Sequence, residues 1–423
     1  MNTYSSYKDS GVDWIGNIPS DWEVVRNKYL FDVTKNVVGE ESDKYQLLSL
    51  TKRGVVLRDI ESGKGKFPES FDTYQTVDKG DLIFCLYDID ETPRTIGISN
   101  YSGMITGSYK VVKCNTLTDP KFIYYNYLSI DDVKGLRPYY TGLRKVVRTE
   151  TFLNLNVRVP SLQEQQQISD YLDYKTLKID KLIEKTEQKI ELLKEQRTSL
   201  INTTVTKGLN PNVEMKDSGV EWIGEIPSGW NVTKLKYTCN ITYGISPPDT
   251  TYNDKGRGEI LINGPVEYSK EDFGYTRSTK WTTDPKKFTE KGSLLFCLRG
   301  STGRMNITHD YVSIGRGVCS IISKESQWFM IYSMFIVRDY IQGEITGSTF
   351  PSVTKDDVDN YFICTPPQQE QQQIVDYLDK ETTKIDKLID TETKRINLLK
   401  EYRQSLVSDI VTGKVDVRDE VLV

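Results

Sequence analysis

Two long runs of this chain repeat each other, and neither can bury its apolar side alone. From Glu164 to Thr206 apolar residues recur at steps of three and four, as Leu172, Ile179, Ile183, Ile190, Leu193 and Leu200, with Glu, Lys and Gln on the other faces. The spacing predicts one long helix whose narrow apolar stripe needs a partner helix to cover it. That partner lies in the same chain. Glu370 to Thr412 repeats the pattern as Leu378, Ile385, Ile389, Ile396, Leu399 and Leu406, and 28 of 47 positions are identical when Pro160 is aligned with Pro366. This is an internal duplication. At about 1.5 Å per residue each helix is on the order of 65 Å long, and neither run contains Pro or Gly. The expected arrangement is an intramolecular antiparallel coiled coil, because a duplicated chain with a compact domain between its helices most easily forms a two-fold-related pair. Two ordinary long core helices are the competing reading.

A second repeat marks where each half begins. KDSGVDWIGNIPSDW at 8–22 returns as KDSGVEWIGEIPSGW at 216–230, identical at 12 of 15 positions. Trp14, Ile15, Ile18 and Trp22, with their copies Trp222, Ile223, Ile226 and Trp230, flank a Pro turn and suit structural anchoring of the chain onto a neighbouring surface. Stacking of these Trp residues on a ligand is the alternative. Between motif and helix, residues 23–159 and 231–365 share little sequence but a common rhythm of short β-type runs broken by Gly, Pro, Asn and Asp. KYQLLSL, GDLIFCLYD and SYKVVKC recur in kind as GEILING, GSLLFCLRG and GVCSIIS, with helical stretches near 121–128 and 327–341. The fold class is therefore α+β, with a pseudo-two-fold repeat. Its parts are a first globular domain at 1–159, the first long helix at 160–207, a second domain at 208–365, the second long helix at 366–412 and a tail at 413–423. The framework is duplicated while the inserted domains differ.

Composition bounds the chemistry. The 423 residues are 37% hydrophobic and 11% aromatic, enough to bury real cores. No window approaches 18 uncharged apolar residues, and MNTYSSYKDSG lacks a basic region followed by an apolar one, so the expectation is a cytoplasmic protein with no membrane span or signal peptide. Cys85, Cys114, Cys239, Cys297, Cys319 and Cys364 are scattered singly, which suits a reducing compartment and buried packing rather than a structural zinc. The single histidine, His309, has no second ligand at metal spacing. There is no Walker A pattern, Gly315-Arg316-Gly317 is followed by Ser320 where a dinucleotide fingerprint wants Gly, and neither Pro-Pro pair carries an adenine-methyltransferase signature. Glu187 and Lys189 resemble part of a nuclease motif but lie on the solvated face of the coil. No catalytic site and no bound metal or cofactor are expected.

The net charge of −5 opposes nucleic-acid binding, yet local balance matters more. From Lys134 to Arg158 six bases face one acid; from Lys44 to Lys66 the count is six against two, and from Arg299 to Lys324 four against one. Solvated faces account for such clusters equally well when each is taken alone. Candidate DNA contacts in the first domain are Lys52, Arg53, Lys64, Lys66, Arg94, Arg137, Tyr140, Arg144, Lys145 and Arg148. In the second they are Arg277, Arg299, Ser301, Thr302, Arg304, Arg316, Ser348 and Thr349. A short polar loop leaving a buried strand, such as Arg299 to Arg304, reaches phosphates through backbone N–H groups and guanine edges through an arginine fork. An exposed turn with ordinary charges is the competing account. A coiled-coil adaptor that binds proteins, supported by the acidic pI of about 5.4, is the rival from another class.

Taken together, W-I-G-x-I-P-x-x-W, a variable domain, a T-G turn and P-x-x-x-E-Q-Q-Q-I-x-D-Y-L before a long helix, all occurring twice, resemble the specificity subunit of type I restriction-modification systems. The resemblance covers essentially the whole chain. It implies that the variable regions are target-recognition domains, each reading one half of a bipartite, asymmetric site in double-stranded DNA. It implies also that the paired helices set the spacer and dock two methyltransferase subunits. Adenine N6 methylation, with S-adenosylmethionine, would belong to those partners; ATP and Mg would belong to restriction subunits that cleave. The second variable region matches the family pattern through Leu294 to Arg304 and Thr346 to Phe350. The first departs from it, with Tyr87 to Arg94 where the R-G-S-x-G loop would fall.

Overall fold

The computed structural model describes residues 2–59, 70–271, 273–345 and 353–420. Both heptad runs form uninterrupted helices, Leu162–Lys207 and Gln368–Val411. The chain divides into two compact units, 1–187 with 394–423, and 188–393, so each unit takes part of both helices.

Opposed helix directions follow from the ion pairs inside each unit. In the first, Arg403 Nε donates to Asp180 Oδ1 at 2.9 Å; in the second, Arg197 Nε donates to Asp386 Oδ1 at 2.8 Å. Within the second unit Lys189 Nζ also donates to Glu392 Oε1 at 2.5 Å, so going up one helix from Lys189 to Arg197 goes down the other from Glu392 to Asp386, which is an antiparallel coiled coil. The Arg403–Asp180 and Arg197–Asp386 pairs are copies of each other through the duplication. Every seam residue expected from the spacing is buried or half-buried, with Leu172, Ile179, Ile190, Leu378, Ile385, Ile396 and Leu406 fully inside. Threonines occupy some stripe positions without an apolar residue, and Thr176 and Thr382 turn their hydroxyls back to the carbonyls of Leu172 and Leu378.

In the first unit an antiparallel sheet runs in the order Phe31–Thr34, Lys110–Cys114, Leu82–Phe84, Ile96–Ile98. The helix Pro120–Asp132 packs beside its last strand, started by Asp119, whose carboxylate accepts the Phe122 N–H, and by Pro120 in the first turn. Phe31, Phe84, Tyr127 and Phe152 interlock between them. Glu23–Arg26 pairs with Asn156–Val159, tying the ends of the domain together before the coil begins.

The second unit repeats this order strand for strand: Cys239–Tyr243, Val318–Ser323, Leu294–Cys297, Met305–Ile307. Asn231–Lys234 pairs with Phe362–Thr365 in the place of the first domain's closing pair. A further five-stranded sheet, built around Glu259–Ile262 and Val312–Ile314, has no counterpart of that size among the described residues of the first unit. Cys85 and Cys297, expected to match, sit buried just past or at the end of equivalent strands.

The repeated motif anchors each domain to the start of its long helix. Trp22 Nε1 donates to Glu164 Oε1 at 2.9 Å, and Trp230 Nε1 donates to Glu370 Oε2 at 2.9 Å. Both indoles are buried. The E-Q-Q-Q sequence is thus read by contact: Glu164 also accepts from Tyr4 Oη at 2.7 Å, and buried Gln165 accepts the Asp119 N–H at 2.8 Å. Gly413, at φ 74°, ends the second helix against the first motif, where a Cβ would lie 2.5 Å from Pro19 Cδ.

Candidate nucleic-acid interface

In the second domain the strand Leu294–Cys297 runs into the basic turn Arg299 to Arg304, whose backbone reverses through Gly300 and Gly303 at positive φ. The Leu298 N–H donates to Gly317 O at 2.8 Å, which lays this turn beside Gly315-Arg316-Gly317. A Cβ on Gly315 would fall 1.9 Å from Asn263 Oδ1, and one on Gly244 would fall 2.1 Å from Gly315 O. These glycines permit close approach of three loops, a packing requirement rather than a dinucleotide fingerprint. Ser246 Oγ donates to Asn263 Oδ1 at 3.0 Å and accepts the Arg316 N–H at 3.1 Å. The outcome is one loop cluster on which Arg299 and Arg316 are exposed. Ser246 and Asn263 were not among the sequence candidates, although Y-G-I-S-P-P and I-N-G-P are the turn signatures that could have flagged them.

The remaining candidates divide. Arg304 Nη2 donates to Ser269 O at 2.7 Å with its guanidinium over the Tyr268 ring, and Arg277 Nη2 donates to the carbonyls of Tyr268 and Val266 at 3.0 and 3.2 Å. Both arginines bind the chain's own backbone. Ser301 and Thr302 are half-buried in the turn, where the Thr302 hydroxyl donates to Leu298 O at 3.4 Å. Ser348 and Thr349 lie outside the described residues, as do Lys64 and Lys66.

In the first domain the departure at Tyr87 to Arg94 has a structural meaning. Asp90 gathers three of the proposed DNA contacts: Arg137 Nε at 2.6 Å, Lys145 Nζ at 2.9 Å and Tyr140 Oη at 3.3 Å, while Lys145 also reaches Glu91 at 2.6 Å. Hydrogen bonds from Arg137 and Lys145 pull the Asp90 carboxyl down to about 2, so it stays ionised at neutral pH and offsets their charge. Arg94 faces Asp132 at 3.5 Å and Asp131 at 3.9 Å and is largely buried. Arg144 and Arg148 remain exposed beside this network, and Lys52 and Arg53 are exposed at the turn between Leu48–Thr51 and Gly54–Leu57.

His309 sits between two hydroxyls, 2.9 Å from Thr276 Oγ1 and 2.8 Å from Ser278 Oγ, and among the described residues no carboxylate is bonded to its ring. Among the described residues no group of three or more His, Cys, Asp or Glu side chains could hold a metal ion, and no helix is long and apolar enough to cross a membrane.

Two α+β domains that share a four-stranded sheet order, each followed by its own copy of a long coil-forming helix, define a protein built by internal duplication. The chain belongs to the family described as the type I restriction modification DNA specificity domain, whose profile matches twice, at residues 19–192 and 227–401. A Methanocaldococcus jannaschii protein is 26% identical across 96% of each chain, and the type I restriction enzyme MjaVIII specificity subunit of the same organism is 23% identical across 95% of each. Among solved structures, a chain of a type I restriction-modification system superposes with a TM-score of 0.74 at 19% identity, covering 94% of this chain and 99% of that one. The HsdS subunit from Thermoanaerobacter tengcongensis gives 0.54 at 19% identity, covering 94% and 98%. The chain is the DNA-recognition component of such a system and not its catalyst.

Proposed function

We propose that each globular domain reads one half of a bipartite, asymmetric DNA site, that the coil sets the spacer, and that the same coil docks two methyltransferase subunits. One observation carries this reading. The two domains share a sheet order but build unlike loops on it: Arg299, Arg316, Ser246 and Asn263 in the second, and an acid-buffered network with exposed Arg144 and Arg148 in the first. Common scaffolds with different reading loops suit two different half-sites. Adenine N6 methylation, with the base flipped out of the duplex, belongs to the methyltransferase partners and their S-adenosylmethionine. Cleavage belongs to restriction subunits using ATP and Mg. This chain holds none of those cofactors and acts in the cytoplasm.

The test is co-expression with the neighbouring methyltransferase subunit in a methylation-free host, followed by single-molecule mapping of modified adenines. The expected result is a split motif modified on both strands across a fixed spacer and absent without this chain. An active complex giving no new methylation, or a motif independent of this chain, would favour the protein-binding adaptor instead.

A further inference from the structure

We propose that Leu143 is an apolar wedge that the first recognition domain inserts between stacked base pairs of its half-site. The inference rests on the DNA reading above and goes beyond charge-based contact.

Single exposed apolar side chains are ordinary, and Leu117 and Val266 are examples here at 72% and 73% exposed. Leu143 differs in three respects. First, it is completely exposed, at 104% of its reference area, at the tip of a turn flanked by exposed Arg144 and, beyond the turn, Arg148. Second, the turn is fixed from several sides. Thr141 and Val146 exchange both backbone hydrogen bonds at 3.0 and 3.1 Å, and the Lys145 N–H closes onto Gly142 O at 3.1 Å. The base of the turn is tied to the strand-end loop, by the Asp88 N–H to Arg144 O at 2.9 Å and the Val147 N–H to Leu86 O at 2.8 Å, and the Lys145 side chain is held by Asp90 and Glu91. Third, the fixation holds unfavourable backbone. Lys145 and Asp88 are non-glycine residues at φ 44° and 47°, beside Gly142 at 75°. Such conformations persist only where surrounding contacts over-determine them, and they concentrate at functional sites.

A rigid, exposed aliphatic tip with an exposed arginine next to it in the chain fits the chemistry of a base step. Arg144 neutralises a phosphate, while the leucine replaces part of the stacking that separation of the bases removes. Rigidity is what the wedge requires, since a mobile side chain would lose in ordering what it gains in contact. A leucine whose role was only to lie against a groove wall would need no such anchoring.

The complex of this chain with its methyltransferase subunits can be bound to a duplex carrying its mapped site. 2-Aminopurine is placed in turn at positions of the first half-site other than the methylated adenine, whose own flipping raises fluorescence independently. The expected result is one base step with raised fluorescence in the wild-type complex. Leu143→Ala should abolish that signal and weaken binding by about tenfold, while Leu143→Met keeps the signal. Because Leu143 touches no core, the melting temperature of the alanine variant should match wild type. An unchanged signal in Leu143→Ala overturns the wedge, as does a wild-type complex that binds its site with no unstacked step. A wild-type complex that fails to discriminate its site overturns the DNA reading beneath it.

Discussion

Arg304 and Arg316 belong to one basic stretch of sequence but do different work. The Arg304 guanidinium satisfies a backbone carbonyl and covers Tyr268, whereas the Arg316 side chain is exposed on the loop cluster. Hydrogen bonds from charged donors contribute more than neutral ones, so Arg304→Ala should lower stability by about 1–3 kcal/mol. Arg316→Ala should leave the melting temperature unchanged, weaken DNA binding and reduce the salt slope by about 1. Thermal denaturation and salt-titrated binding of both variants decide the matter; a destabilised Arg316→Ala would reassign that arginine to the fold. At this scale the sequence counts charges but cannot see what neutralises them. The cluster from Lys134 to Arg158 contains one acid, yet Asp90 and Glu91, some 50 residues upstream, come to Arg137 and Lys145 in the folded chain.

Among the elements, the repeated motif and the helix starts form one device made twice. A buried indole N–H needs an acceptor, and Glu164 and Glu370 supply it at the first turn of each helix, where a carboxylate is also favoured by the helix dipole. The copies are unequal, because Glu164 also serves Tyr4. Each donor left unsatisfied costs about 1–3 kcal/mol, so Glu164→Ala should destabilise its unit more than Glu370→Ala destabilises the other. Denaturation of both variants tests this; equal losses would show that Tyr4 finds another partner at no cost. Helices, strands and the anchoring role of Trp22 and Trp230 were legible from periodicity and repetition. The acceptor of each indole was not, since 142 residues separate Trp22 from Glu164.

For the whole molecule, duplication explains why one chain can hold two unlike domains on matching strand orders, each next to its own copy of the long helix. Exchanging residues 231–365 for another such domain should alter one half-site and leave the other intact. Excising one heptad from each helix, residues 181–187 and 387–393, keeps the seam in phase and leaves Arg403 opposite Asp180 and Arg197 opposite Asp386. The loss is about 10 Å of helix against about 3.4 Å per base pair, so the tolerated spacer should change by on the order of three base pairs. Methylation mapping reads both variants. An unchanged spacer would show that something other than the coil sets it.

Periodicity and repetition in the sequence were sufficient for the coil, its seam and the antiparallel pairing of the two long helices. Those features depend on patterns that act locally or recur, so they survive in one dimension. The order of strands in each sheet, the meeting of three glycine loops around Asn263, the backbone contacts of Arg277 and Arg304, and the offsetting of charge at Asp90 were decided only by tertiary structure. Each depends on which distant residues the fold brings within hydrogen-bonding range, and that information is spread over the whole chain rather than written at the residues themselves.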